Sequence, residues 1–150
     1  MKYISIAISL FITMAIFSSC LTSKDVTSSS SPISHATWDN LLKKHVSPAG
    51  WVNYKGFIED RATFDSYLDL ISKNHPNKEN WSEDERFAYW INAYNAYTVQ
   101  LVIDKYPVAS IKDVKSGIPF VSSVWDIKFI KIEGQKYDLN NIEHLSLIHI

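Results

Sequence analysis

The chain has 150 residues, with 15 lysines and arginines against 16 aspartates and glutamates and a formal net charge of −1. Because there is no basic excess to attract phosphates, the composition argues against nucleic acid as a partner. The single cysteine, Cys20, excludes an internal disulfide, so the fold must be stabilised by its core, to which the aromatic residues (13% of the chain) contribute.

The first segment has the pattern of a bacterial export signal. Lys2 precedes an uncharged, mostly apolar run over residues 3–17, which is shorter than the roughly 20 residues of a membrane span. Phe17 to Cys20 resembles a lipoprotein processing box, with phenylalanine where leucine is usual. We therefore expect a signal peptide over residues 1–19 and lipidation at Cys20. The alternative is ordinary signal cleavage with an incidental cysteine.

Residues 20–36 are rich in serine and threonine, a composition typical of a flexible tether. The remainder, residues 37–150, is near the usual size of one small domain. The expected location is therefore the bacterial cell envelope, on the periplasmic face or the cell surface, with the membrane as a partner through the lipid anchor. The other expected partner is a small-molecule or peptide substrate.

Two amphipathic helices are predicted at the start of the domain. Thr37 can cap the first, which Pro48 ends, and a short extended piece follows over residues 51–54. The second helix is expected between Phe57 and Lys73.

The clearest helix signal lies in the middle of the chain. Ser82 can cap its first turn while Glu85 reaches back, which is the pattern of a capping box. The helix has no charge in its middle and has apolar residues on two faces, so we predict a long helix buried on both sides. It is expected to run to about Lys105, because Pro107 disfavours helical geometry at the residue before it.

Two asparagines, Asn92 and Asn95, lie one turn apart on this central helix. A buried amide without a partner costs roughly 1 to 3 kcal/mol, so each side chain is expected to bond to a definite group. We weigh a structural role, in which they hold a nearby loop, against a direct role in binding substrate.

The sequence pattern changes after the central helix. Residues 125–132 are rich in aromatic and β-branched types, residues 133–135 form a plausible turn, and residues 136–139 could return as a second strand. Helices followed by strands predict an α+β fold, with several helices around the long central helix and then a small antiparallel sheet. Trp125 and Asp126 could line a cleft; alternatively Trp125 is core and Asp126 bonds backbone at the start of the strand.

Glu143 and His144 are the one adjacent pair suited to acid–base chemistry, because histidine titrates near neutral pH. The alternative is that Asn140 and Glu143 form a capping box at the start of a helix. No pair of histidines stands at ligand spacing on a shared helix face, and there is no phosphate-binding glycine loop, so neither a metal nor a cofactor is expected.

The segment from Trp90 to Ala96 closely resembles the core motif of the family called domain of unknown function 547. Four other segments are similar to it in the same order: Gly50 to Tyr54, Tyr106 to Val114, Trp125 with Asp126, and Ile142 to His144. The resemblance covers approximately Trp38 to His144. It implies a relation to papain-type or transglutaminase-type thiol enzymes, of which this chain would hold a partial domain.

In that family the chain continues past the Glu-His motif into a segment that contains cysteine. The resemblance therefore implies His144 as general base, Glu143 as supporting carboxylate, and Asn92, Asn95, Trp125 and Asp126 around them. Here residues 145–150 depart from the family pattern and look like translated sequencing-adapter sequence, so they are interpreted as possible non-native residues at a truncated end.

Three hypotheses follow. The first is the amino-terminal part of a lipid-anchored thiol hydrolase or acyl transferase whose nucleophile lies beyond residue 150, inactive as this fragment. The second is a non-catalytic envelope module that binds a peptide, a glycan or a partner protein. The third is that the central helix is only scaffold and that the chain as given is an unstable fragment.

Overall fold

The computed structural model describes residues 28–114 and 123–148. Over these residues the elements are α1 (Ala36–His45), α2 (Tyr54–Glu59), α3 (Arg61–Ser72), α4 (Glu83–Ile103), β1 (Ile130–Ile132), β2 (Gln135–Tyr137) and α5 (Leu139–Ile148), with short 3-10 turns at Ile111–Asp113 and Val124–Asp126. The α+β prediction is confirmed. The predicted signal peptide and Cys20 lie outside the described residues.

The first helix begins at Ala36, and the prediction that Thr37 caps it is wrong. His35 occupies the cap position, where its carbonyl oxygen accepts from Asp39 N at 2.9 Å; its side chain does not cap the helix, and its Nδ1 atom lies 2.7 Å from the hydroxyl of Tyr67 on α3. The residue before α1 is therefore bonded to α3.

The second predicted helix is divided into α2 and α3, so the expectation of one continuous helix is wrong. Asn53 caps α2 by accepting a hydrogen bond from the backbone N–H of Gly56 at 3.1 Å. Asp60 separates the helices, and its Oδ2 atom lies 2.7 Å from both Lys44 Nζ and His45 Nε2 of α1. This attraction to α1 accounts for the break.

The central helix α4 is the longest element, and its amino-terminal capping box is confirmed. Ser82 Oγ accepts from Glu85 N at 3.3 Å, and the Glu85 carboxylate accepts from Ser82 N at 2.8 Å. The helix ends at Ile103, two residues before the predicted end. In the part of the chain that the structure describes, no helix is both long enough and apolar enough to span a bilayer.

One hydrophobic core joins α4 to the elements before and after it. Its completely buried large side chains are Trp38, Phe57, Phe64, Tyr67, Ile71, Tyr89, Trp90, Ile130, Ile132, Leu139 and Ile142. The core thus includes residues of the helices and of the hairpin, so the hairpin packs against the helices as part of one domain.

The hairpin is shorter than predicted. β1 begins at Ile130, because Val124–Asp126 forms a 3-10 turn in which Ser123 Oγ accepts from Trp125 N at 3.2 Å. The predicted turn is confirmed: Glu133 and Gly134 have φ angles of 43° and 82°, as a tight two-residue hairpin turn requires. Leu139, which was expected in the second strand, is the first residue of α5.

The last helix is capped by Asp138, so the expected capping box of Asn140 with Glu143 is wrong. Asp138 Oδ1 accepts from Asn141 N at 2.7 Å, and Asn141 Oδ1 accepts from Asp138 N at 3.3 Å. This reciprocal pair satisfies the helix start two residues earlier than predicted. The carboxylate of Glu143 is therefore not needed for capping.

Candidate functional site

The candidate site is a cleft between α4 and α5, to which we refer as the α4–α5 cleft. It has a volume of about 240 Å³ and is lined by Ile91, Tyr94 and Asn95 from α4 and by Glu143 and Ser146 from α5. Its walls combine an apolar side chain, a phenol, an amide and a carboxylate. Two of the predicted site residues, Asn95 and Glu143, therefore meet here.

The side chains of Asn92 and Asn95 are less buried than predicted. Asn95 is exposed and Asn92 is half-buried, and neither side chain bonds to a described residue. Ile91, one turn before Asn95, is 38% exposed. The expectation of burial on both sides is thus wrong for Asn95, because α5 leaves this strip of α4 open. An open amide can bond to a ligand.

The phenol of Tyr94 is held in its protonated form. Burial raises the pKa of Tyr94 above its ordinary value of 10.0, and the negative charge of Glu143 raises it further. At neutral pH the hydroxyl is consequently a hydrogen-bond donor in the α4–α5 cleft. The hydroxyl of Ser146 is hydrogen-bonded within its own helix, since its Oγ donates to the carbonyl oxygen of Glu143 at 2.6 Å.

The imidazole of His144 is oriented by its own helix. Its Nδ1 atom lies 2.8 Å from the carbonyl oxygen of Asn140, one turn earlier. A carbonyl oxygen only accepts, so Nδ1 carries a proton, and in the neutral imidazole Nε2 is then the acceptor. The side chain is exposed, which makes Nε2 accessible to an incoming group.

Glu143 and His144 point to different surroundings. Glu143 lines the α4–α5 cleft, whereas His144 is bound through Nδ1 to Asn140. Neighbouring residues on a helix project about 100° apart, which explains the separation. Among the described contacts, the group that orients the imidazole is a backbone carbonyl and not the Glu143 carboxylate.

A family model described as "Protein of unknown function, DUF547" matches residues 78–150. Residues 78–150 of the chain therefore match this family. The match contains α4, the hairpin and α5, and therefore every residue of the α4–α5 cleft. Gly50 to Tyr54, one of the five similar segments, precedes the matched range. No curated protein and no solved structure matches the chain.

The DUF547 segment also contains a contact that the sequence reasoning missed. Asn140 Nδ2 donates to Asp126 Oδ1 at 2.6 Å, while the carbonyl of the same asparagine binds His144. Asp126 was expected to bond backbone at a strand start; its bond instead holds the first turn of α5. The four-residue spacing of Asn140 and His144 is the signal that could have revealed their pairing on a helix.

The structure also shows the position of Trp125 and the grouping of potential metal ligands. Trp125 is half-buried and packs against the core beside the 3-10 turn. Within residues 28–114 and 123–148, no three His, Cys, Asp or Glu side chains are grouped as the ligands of a metal ion would be.

Proposed function

We propose that this chain is the amino-terminal part of a lipid-anchored envelope enzyme, a thiol hydrolase or acyl transferase. In this proposal His144 is the general base and the α4–α5 cleft holds part of the substrate. The observation that carries it is the fixed tautomer of His144, whose Nδ1 is bound to the Asn140 carbonyl while Nε2 is exposed. A general base needs one ring nitrogen that can take a proton, and this tautomer leaves Nε2 in that role.

The proposed reaction follows from that tautomer. Nε2 of His144 takes the proton from a cysteine thiol supplied by the segment beyond residue 150, and the thiolate attacks the carbonyl carbon of the substrate. The imidazolium then returns the proton to the leaving group, and water or an acyl acceptor releases the acyl-enzyme. Asp126 keeps Asn140 in place by accepting a hydrogen bond from its side-chain amide.

The α4–α5 cleft suits a substrate with both apolar and amide character. Ile91 offers an exposed aliphatic surface, and the Tyr94 hydroxyl and Asn95 amide can donate to carbonyl oxygens. A peptide or an N-acylated small molecule carries both features. Ser146 does not serve as nucleophile in this proposal, because its hydroxyl is bonded to the helix backbone.

The gene's downstream sequence provides the first test. We expect it to encode a cysteine that an iodoacetamide probe labels in the complete protein, and the cysteine-to-serine variant should lose the label. A continuation without cysteine would contradict the thiol mechanism. The anchor is tested separately with labelled fatty acid and Cys20→Ala, and label retained on that variant would remove the anchor from the proposal.

A non-catalytic binding module is the alternative function. It is favoured by the exposure of Ile91 beside the α4–α5 cleft, since an open aliphatic surface next to an amide can bind a peptide without chemistry. The two functions differ in their response to His144→Ala in the complete protein. A binding module keeps its full activity in vivo, whereas the enzyme loses it.

A further inference from the structure

The described end of the predicted tether is bound to the domain. Residues 28–30, here called the strap, contact the loop between α3 and α4. The carbonyl oxygen of Ser30 accepts hydrogen bonds from Asn77 Nδ2 at 2.8 Å, Asn80 Nδ2 at 3.1 Å and Trp81 Nε1 at 3.0 Å. Asn77 and Trp81 are buried, with 8% and 3% of their surfaces exposed. The predicted tether is therefore bound to the domain from residue 28 onward.

The strap meets the domain beside the hairpin turn. Ser28 Oγ donates to Glu133 Oε1 at 3.0 Å, and the same oxygen accepts from His75 N at 3.0 Å. The backbone N–H of Glu133 donates to the carbonyl oxygen of Ser72 at 2.8 Å, which fixes the turn against the end of α3. The chain thus enters the domain next to the tip of the hairpin.

The distance from Cys20 to the strap is short. Eight peptide units separate Cys20 from Ser28, and at about 3.5 Å each they span at most roughly 28 Å. The 21 residues of α4 alone extend about 32 Å. A lipid at Cys20 would consequently hold Ser28, and the hairpin turn that it contacts, within roughly 28 Å of the bilayer surface.

The outer face of the hairpin carries two lysines opposite each other. Lys131 and Lys136 are direct cross-strand partners, and both are exposed, whereas Ile130 and Ile132 point into the core. Like charges in directly opposed positions destabilise a strand pair. An anionic surface against this face would relieve that repulsion.

We propose that the outer face of the hairpin, with Lys131 and Lys136, rests on the anionic headgroups of the bilayer that holds the lipid anchor. The proposal depends on the anchor at Cys20, which belongs to the proposed function. It is carried by the strap contacts, the short reach from Cys20 and the charge of the hairpin face. The proposed contact uses the outer face of the hairpin and none of the residues that line the α4–α5 cleft.

The test uses the full lipidated chain in vesicles of phosphatidylethanolamine with or without phosphatidylglycerol, containing a nitroxide-headgroup lipid. A fluorophore is placed on Gln135→Cys in the hairpin or on Ala62→Cys near the start of α3, about 15 Å along the helix from Ser72. We expect stronger quenching of the hairpin label than of the α3 label, and a larger difference with phosphatidylglycerol. Equal quenching at the two positions would overturn the proposal.

Charge variants test the nature of the contact. Neutralising both hairpin lysines, as Lys131→Gln with Lys136→Gln, should lower the equilibrium constant for surface contact roughly 5- to 30-fold. The matched control neutralises two exposed lysines elsewhere, Lys55→Gln with Lys105→Gln, and should leave quenching of the hairpin label unchanged. If both double substitutions changed the quenching of the hairpin label equally, the hairpin face would not be the membrane contact.

Two controls separate failure of this proposal from failure of the anchor. Asn80→Ala removes an exposed donor to the strap and should reduce the quenching difference between the labels. Labelled fatty acid on Cys20 is measured in the same samples. An acylated protein with an unquenched hairpin overturns the hairpin contact alone, whereas absence of acylation overturns the anchor and the hairpin contact together.

Discussion

The two sides of α4 differ sharply, although they belong to one helix. Tyr89, Trp90 and Ala93 are at most 1% exposed, whereas Ile91 is 38% exposed and Asn95 is open to solvent. The buried side fixes the fold, and the open side forms a wall of the α4–α5 cleft. The uncharged character of a helix therefore does not by itself mean that every face is covered.

The buried side is also rich in specific contacts. Tyr89 Oη donates to the Ile71 carbonyl oxygen at 2.8 Å, and its ring meets Trp90 edge to face at 5.0 Å. Trp90 in turn packs against His75 and Tyr137, with ring centroids 5.3 and 5.8 Å away. Replacements on this side should affect stability, and replacements on the open side should affect function.

The largest expected difference concerns the neighbours Trp90 and Ile91. Trp90→Ala should lower the free energy of unfolding by about 3 to 5 kcal/mol, because it leaves a cavity where three elements meet. Ile91→Ala should cost about 1 kcal/mol or less, because its side chain is partly exposed. Denaturant unfolding of both variants measures the two values. Similar losses of unfolding free energy in the two variants would contradict the difference between the buried and the open side of α4.

A second comparison concerns two asparagines. Asn77 is buried and donates to the strap while its Oδ1 accepts from Asn80 N at 2.8 Å, so Asn77→Ala should cost about 1 to 3 kcal/mol. Asn95→Ala should change stability by about 0.5 kcal/mol or less, because the side chain is exposed. Thermal unfolding of the pair provides the measurement. A large loss from Asn95→Ala would contradict an open amide.

The smallest expected effect is a pH dependence of stability from His75. Burial is the main cause that lowers the pKa of His75 below its ordinary value of 6.5, while its hydrogen bond to Pro76 and the charge of Glu133 oppose the shift. The unfolded chain therefore binds the proton more readily, so this contribution to stability is present above pH 6.5 and decreases as pH falls below it.

The variant His75→Gln should flatten the stability profile between about pH 5 and 7 relative to the parent chain. His35→Gln is the matched comparison, because burial also lowers the pKa of His35, and it should remove a separate part of the slope. Denaturant midpoints at a series of pH values give both profiles. An unchanged slope in His75→Gln would show that this histidine does not contribute.

Features set by neighbouring residues could be predicted from the sequence. The Ser82 capping box and the Glu133–Gly134 turn depend on residues within one turn of each other, and both were predicted correctly. The α+β order of elements likewise follows from local periodicity.

Features decided by contacts between distant residues could not be predicted in this way. Asp60, which lies between α2 and α3, contacts Lys44 and His45 on another helix, and His35, which precedes α1, contacts Tyr67 on α3. No local pattern contains these partners.

In the candidate site, too, some features could be predicted from the sequence and others could not. Glu143 and His144 could be selected as chemically suitable residues from the sequence, but their surroundings could not. Asp138 caps α5, so the side chain of Asn140 is bonded to Asp126 and does not cap the helix. The relation of Asn95 to Glu143 across the α4–α5 cleft likewise depends on helix packing.

The most direct test of the account is the rate at which iodoacetamide alkylates the downstream cysteine of the complete protein, measured against pH in the parent and in His144→Gln. If His144 is the base, the parent should react about ten-fold faster or more at pH 6, and the two rates should converge near pH 9, where an ordinary thiol ionises. Unfolding of both proteins is measured in parallel to exclude a loss of fold. Superimposable pH profiles from two equally stable proteins would contradict the proposed role of His144.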